Sequence, residues 1–232
     1  MTRKTSAHSD TRVEGRLKSI NCCRRHDNSF PLNKIGPHNE DVISTLVGSL
    51  LGDGWGEKRS GSSRFQIHMS TKNMGYAFFL HKFFNDRQYS SANPPKRKKQ
   101  TGKLGKVYYS VRFRTYSYTS LNWLQEAFYP GGLSKRVPQN IASLLTPRAL
   151  AIWFMDDGGA SGAGCRIATH SFPQEDIRLL RDTLYKLYGF HCTIQPQGER
   201  WTIYFIKREK SLLSQLIKPF MVPSMYYKLN LK

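Results

Sequence analysis

Leu46-Val47-Gly48-Ser49-Leu50-Leu51-Gly52-Asp53-Gly54 and, in the second half of the chain, Leu150-Ala151-Ile152-Trp153-Phe154-Met155-Asp156-Asp157-Gly158 are two versions of one pattern. Each is an apolar run that delivers an aspartate, Asp53 or Asp157, immediately before a glycine. Val42, Ile43, Leu46, Val47, Leu50 and Leu51 recur at helical spacing, and Gly48 and Gly52 clear a shallow groove on the same helix, where a second backbone can come close. The second run opens with Thr146-Pro147, an N-cap followed by proline at the first helical position, and from Ala149 to Met155 it is apolar on every side. That predicts a buried helix.

Gly54 and Gly158 suit the left-handed residue that closes a helix, which puts each Asp in a last turn, among carbonyls without intrahelical partners. A carboxylate at the negative end of a helix dipole is misplaced by about 0.3–1 kcal/mol on a surface. Where two such ends meet, carboxylates and free carbonyls form an oxygen-rich cage of the kind Mg²⁺ or Ca²⁺ accepts. A single Asp-Gly reads more simply as a turn. Two of them, at matching places in two half-chains, favour a shared site.

The two nonapeptides resemble the paired motifs of single-chain LAGLIDADG homing endonucleases, and the similarity runs from Pro37 to the C-terminus. The first copy stays close to the family pattern. In the second, Ile152 and Asp156 stand where small residues often pack the two motif helices together, and Gly48 and Gly52 leave room for them. Two-motif members encoded in mitochondrial introns have similar second copies. The resemblance implies an α+β fold of two pseudo-symmetric αββαββα units whose antiparallel sheets form a DNA-binding saddle. A basic N-terminal arm over residues 1–36 would precede a first half over 37–145 and a second over 146–232.

The same resemblance implies a site-specific endonuclease that breaks both strands of a long asymmetric duplex, leaving short 3′ overhangs, and that acts as a monomer because one chain holds both motifs. Asp53 and Asp157, with the backbone carbonyls of Gly52 and Asp156, would hold divalent cations: Mg²⁺, with Ca²⁺ or Mn²⁺ as substitutes. Lys135 and Lys228 match the basic residue that relatives place near the cleavage centre, to polarise water or neutralise developing charge. An organelle is the expected compartment, the mitochondrion ahead of the chloroplast.

Composition agrees independently. With 232 residues, 39% hydrophobic and 12% aromatic, the chain can bury one or two cores and is not a disordered basic tail. A formal charge of +20, recurring along the whole chain, implies a polyanionic partner. Double-stranded DNA is the leading partner and intron RNA the second. No membrane partner is expected, because no apolar run approaches the roughly 20 residues that span a bilayer and no basic amphipathic helix stands out. Cys22, Cys23, Cys165 and Cys192 give neither a paired zinc spacing nor a disulfide framework. Free thiols in a reducing compartment are the plain reading, ahead of a metal site at Cys22-Cys23 and His26.

Residues 1–36 are polar and rich in Arg, Lys, Ser and Asn, and read equally as an arm lying on phosphates or as a transit-like segment, the latter opposed by Asp10 and Glu14. Arg64 to Ser70 alternates as a half-buried strand does, and Tyr76, Phe79, Leu80, Phe83 and Phe84 predict a helix over 73–84 behind it. Pro94-Pro95-Lys96-Arg97-Lys98-Lys99 reads as a long basic loop leading to a second alternating run, Val107 to Arg114. Arg112 and Arg114 then share one face of a strand. With Arg64 and Gln66 on the outer face, such a ribbon can enter a major groove and read base edges, while Lys96 and Lys98 fix it to phosphates.

A helix over 120–128 and a Pro-Gly-Gly turn close the first half. The second repeats the order: a strand over 165–169, a helix through Leu179, Leu180, Leu184 and Leu187, strands over 191–195 and 201–206, and a last helix over 212–220. His170 reads as a structural histidine ahead of a catalytic one. There is no G-x-S-x-G elbow, phosphate loop or H-E-x-x-H, in keeping with hydrolysis that needs no protein nucleophile. Two alternatives share the fold and the charge: a group I intron RNA maturase, which need not cut, and a non-catalytic DNA-binding protein, which would tolerate Asp53→Asn and Asp157→Asn.

Overall fold

The computed structural model describes residues 38–102 and 105–231, and in them one unit of structure occurs twice. The first comprises α1 (Glu40–Leu51), β1 (Trp55–Arg59), β2 (Ser62–Ser70), α2 (Met74–Asp86), β3 (Arg97–Thr101), β4 (Val107–Arg114) and α3 (Asn122–Phe128). The second comprises α4 (Pro147–Asp157), β5 (Gly158–Ser161), β6 (Gly164–Ala168), α5 (Gln174–Tyr188), β7 (Thr193–Gln197), β8 (Arg200–Phe205) and α6 (Lys207–Ile217). Each half forms a four-stranded antiparallel sheet, in the orders β1-β2-β4-β3 and β5-β6-β8-β7. The matching orders are the α+β, pseudo-two-fold arrangement that the sequence predicts. The basic arm over 1–36, with Cys22 and Cys23, lies outside the described residues.

Local chemistry starts both motif helices. Asn39 caps α1 by accepting from the Asp41 N–H at 2.7 Å, and Glu40 and Asp41 complement the positive end of the dipole. Thr146 caps α4 by accepting from the Ala149 N–H at 3.2 Å, with Pro147 next. The Thr146 hydroxyl also donates to Ser44 Oγ at 2.8 Å, and Arg148 pairs with Asp41 at 3.0 Å, so the two helices are tied at their starts.

Packing does the rest. Every residue of α4 from Ala149 to Met155 is buried, as predicted. A Cβ at Gly48 would stand 2.6 Å from Ile152 Cβ, and one at Gly52 would stand 2.4 Å from Asp156 Cβ. The bulkier second motif therefore fits into the glycine groove of the first. Phe65, Ile67, Val111 and Phe113 carry the core on the back of the first sheet, and Cys165, Ile167, Ile203 and Phe205 carry it behind the second.

Several local expectations need correction. Gly54 and Gly158 do not take the left-handed conformation, and Gly158 is extended (φ −82°, ψ 162°). They are glycines for want of space: a Cβ at Gly54 would meet the Ser49 carbonyl oxygen at 2.5 Å, and one at Gly158 the Phe154 carbonyl oxygen at 2.5 Å. Asp53 follows the end of α1 and does not sit in its last turn, whereas Asp157 is the last residue of α4. The basic stretch read as a loop contains β3, exposed along its whole length and bonded to β4. An edge strand of charged residues has no apolar alternation to betray it, and its lysines discourage pairing with another chain. The last helix runs over Lys207–Ile217, earlier than expected, because Pro219 cannot continue it.

Candidate functional site

Asp53 and Asp157 come from opposite halves and meet where α1 and α4 end. Asp156 ties the ends together, its Oδ2 accepting from the Asp53 N–H at 3.3 Å. Burial, and then the charge of Asp53, push the Asp157 carboxyl up to about 7. The Asp53 carboxyl keeps access to solvent but is also raised, by the loss of water around it, against the pull of Lys228, Lys135 and His68. The Asp156 carboxyl lies deeper, beside the buried Tyr76 phenol, and is raised well above the usual carboxylate range by burial and by both neighbouring aspartates. Carboxylates crowded in this way favour a proton or a cation between them.

Lys135 and Lys228 enter the same place from the ends of the two halves. Lys135 Nζ donates to the Gly52 carbonyl at 2.9 Å, and Lys228 Nζ donates to the Asp156 carbonyl at 2.7 Å and to that of Met155. Each lysine thus holds the carbonyl just before a motif aspartate. Those are the carbonyls expected as metal ligands, and a carbonyl oxygen has a second lone pair to offer. Burial lowers Lys135 to about 8 and lowers Lys228 as well, opposed by the three aspartates. Among the described residues no group of three or more His, Cys, Asp and Glu is arranged to hold a metal.

Directly opposed residues of antiparallel strands point to the same side, so register decides what each open face displays. Gln66 lies opposite Trp55 and Arg114, Arg64 opposite Glu57, His68 opposite Arg112, and Ser110 opposite both Ser70 and Lys98. Arg64, Gln66, Lys98, Arg112 and Arg114 therefore share one face, and Lys96 is exposed just ahead of β3. Glu57 accepts from Arg64 Nε at 2.7 Å and from Arg59 Nε at 2.8 Å, which orients both guanidinium groups. Arg114 is lowered by burial and by the nearby Arg64 and Arg112. Guanidinium groups crowded side by side are what a polyanion relieves. An open cleft of about 520 Å³, bordered by His68, Lys72, Gln100 and Tyr108, reaches from this face to Asp53.

The sequence reading missed the second face. Arg166 lies opposite Gly159 and Tyr204, Thr202 opposite Ala168 and Gln195, and Gln197 opposite Arg200. Alternation about the buried Cys165 and Ile167 is the signal that could have found Arg166. His68 and Glu57 were also missed. His170 pairs with Gln197 at 3.3 Å, and the histidine that acts on Asp53 is His68.

A profile of the LAGLIDADG DNA endonuclease family matches residues 43–213, both motifs included. The chain is 34% identical over 208 residues, 85% of its length, to the Cytochrome b mRNA maturase bI2 of Saccharomyces cerevisiae, and spans 49% of that protein. It is 37% identical over 158 residues, 66% of its length, to the Intron-encoded endonuclease ai4 of Dictyostelium discoideum, and covers 99% of it. Its fold matches that of the homing endonuclease I-WcaI, solved bound to its DNA recognition sequence, with a TM-score of 0.76 and 23% identity, over 85% of this chain and 89% of that one. Two motif helices joined at their aspartate ends, a four-stranded sheet in each half and a profile match across most of the length make this chain a member of the LAGLIDADG DNA endonuclease family.

Proposed function

We propose that the chain is a site-specific, divalent-cation-dependent DNA endonuclease that breaks both strands of a long asymmetric target. The observation that carries this reading is the meeting of Asp53 and Asp157 at the joined ends of α1 and α4, each beside a lysine-bonded carbonyl. Crowded carboxylates with raised proton affinity fit a hard cation, and with few protein donors present, a bound phosphate and water would complete its shell. Mg²⁺ is the ion proposed, with Ca²⁺ or Mn²⁺ as substitutes. When bound, the cation supplies activation of water and neutralisation of the leaving oxygen.

The chain's own groups do the remainder. Asp53 and Asp157, with the Gly52 and Asp156 carbonyls, form the ligand set. Lys135 and Lys228 fix those carbonyls and carry positive charge to the place where a scissile phosphate gains negative charge. Burial lowers Lys135 to about 8, which still leaves it mostly charged near neutrality. Arg64, Gln66, Arg112 and Arg114 supply base-reading groups, and Lys96 and Lys98 phosphate contacts. Arg166 and Arg200 on the second face make fewer cations there, which supports an asymmetric site. Both motifs in one chain support action as a monomer, and the likeness to a cytochrome b mRNA maturase supports an organelle, the mitochondrion first.

Cleavage of a randomised duplex library by the parent chain and by Asp53→Asn and Asp157→Asn tests the reading. One long sequence should be cut with Mg²⁺ and only bound with Ca²⁺, and either substitution should abolish double-strand cleavage while binding survives. A second reading, intron RNA maturase, rests on the name of the yeast relative. It replaces the first if the parent never cuts but binds a structured intron RNA tightly at moderate salt.

A further inference from the structure

Lys135 stands in an irregular segment that has little to hold it from upstream. Gly131 and Gly132 precede it at positive φ, Leu133 is 75% exposed, and the Leu133 N–H reaches the Pro130 carbonyl only at 3.4 Å. Its counterpart Lys228 is built differently. It lies inside a 3₁₀ helix, Pro223–Leu229, pinned on either side by the buried Met225 and Leu229. A lysine has a flexible four-carbon stem, so its ammonium stays at one carbonyl only where its backbone is fixed.

The fixing group comes from the other half. Asp176, in the first turn of α5 and 2% exposed, spends both carboxylate oxygens on the two residues after Lys135. Its Oδ2 accepts from Arg136 Nε at 2.9 Å and from the Val137 N–H at 2.8 Å, and its Oδ1 accepts from Arg136 Nη2 at 3.0 Å. Glu175 adds a further bond to Arg136, and Val137 is buried. Within the first half the Arg136 N–H donates to the Phe128 carbonyl at 2.8 Å. Phe172, just ahead of α5, places its ring 5.9 Å from Lys135 Nζ.

We infer that Asp176 of the second half is a positioning residue for Lys135 of the first, so that one of the two lysines reaches the cleavage centre only when the halves are docked. This rests on the nuclease reading of that centre. An aspartate in a first helical turn also complements the helix dipole, but that role uses neither Arg136 nor the Val137 N–H. The arrangement is lopsided, since Lys228 is held by its own 3₁₀ helix. Loss of Asp176 therefore weakens one lysine of the pair and spares the other.

Two readouts on the full chain test this, in the parent, Asp176→Ala, Lys135→Met and the double variant. The first is the acetylation rate of the Lys135 amine relative to that of Lys228, read by mass spectrometry. The second is the single-turnover rate on each strand of a duplex carrying the target. Asp176→Ala should raise relative labelling of Lys135. It should also slow cleavage about 10- to 100-fold, the effect of misplacing a group by roughly 1 Å. The strand imbalance should match that of Lys135→Met, and the double variant should be no slower than Lys135→Met alone, as expected for residues acting as one unit. Asp176→Asn, which keeps an acceptor for the Val137 N–H, should fall between, and it carries the same test if the alanine variant does not fold. Unchanged labelling, or slowing that adds to that of Lys135→Met, overturns the inference. If the parent cuts no duplex, the nuclease reading fails, and labelling alone decides whether Asp176 places Lys135: a rise supports it and no change overturns it.

Discussion

The Lys228 ammonium donates to the Asp156 carbonyl at 2.7 Å, one residue before Asp157, and Lys135 stands in the same relation to Gly52 and Asp53 at 2.9 Å. The pseudo-two-fold thus extends from the helices to the charges at their ends. Lys135→Met and Lys228→Met should each lower the single-turnover cleavage rate about 100-fold, the usual cost of removing one donor from a charge-stabilising site. Duplex affinity in Ca²⁺ should change little. Lys228→Arg should not restore the rate, because a planar guanidinium does not fit where a compact ammonium reaches two carbonyls. Single-turnover kinetics beside Ca²⁺ binding curves check this.

The crowded carboxylates should make stability depend on pH and on metal. Asp157 is raised from 3.8 to about 7, so between those values the folded chain keeps a proton that the unfolded chain has released. Stability therefore falls as pH rises through that window, and the full cost is present above it. A cation beside Asp157 offsets the cost, so Mg²⁺ or Ca²⁺ should raise Tm at about pH 8 and do so much less at about pH 5. Asp157→Asn should raise Tm in metal-free buffer and blunt the metal response. Thermal unfolding across pH, with and without the ion, reads both; an equal metal response at the two pH values counts against the site.

The helix seam allows a prediction on stability alone. Gly52→Ala and Gly48→Ala would each force a methyl group against α4 and should destabilise by about 1–3 kcal/mol, the common range for overpacking. A Cβ at Gly159 meets nothing within 4 Å, so Gly159→Ala is the control. Urea denaturation of the three variants separates the cases.

The first open face should divide into readers and anchors. Arg114→Ala should cost about 1–3 kcal/mol on the preferred site and relax specificity at one or two adjacent base pairs, as expected for loss of a base-edge contact. Lys98→Ala should weaken all sequences alike and reduce the slope of log affinity against log salt by about 1, as loss of a phosphate contact does. Competition binding at several salt concentrations, on the site and on single-base variants, tells them apart.

Much of the fold was legible because its signals are local. Helical spacing of apolar residues, the Thr146-Pro147 start and the alternation in β2 and β4 each act within a few residues. β1, β5 and β3 were not found, for the same reason turned round. β1 buries a single residue and β5 and β3 bury none, so no apolar alternation marks them. Such strands exist because a neighbour offers a ladder.

That two apolar helices each bring an aspartate to one glycine groove, and that the chain around them is basic, can be read from the residues in order. Those properties depend on residue type and spacing along one segment. The tertiary structure alone decided that Lys135 and Lys228 bond the carbonyls beside those aspartates, that Asp156 spans the helix ends, that Arg166 and Arg200 form a second face, and that Asp176 holds the segment after Lys135. The partners of Lys135 and Lys228 lie 83 and 72 positions away in the chain, and Asp53 and Asp156 are separated by 103. Over such separations the pairing follows from packing and strand register, which no periodicity within a single segment encodes.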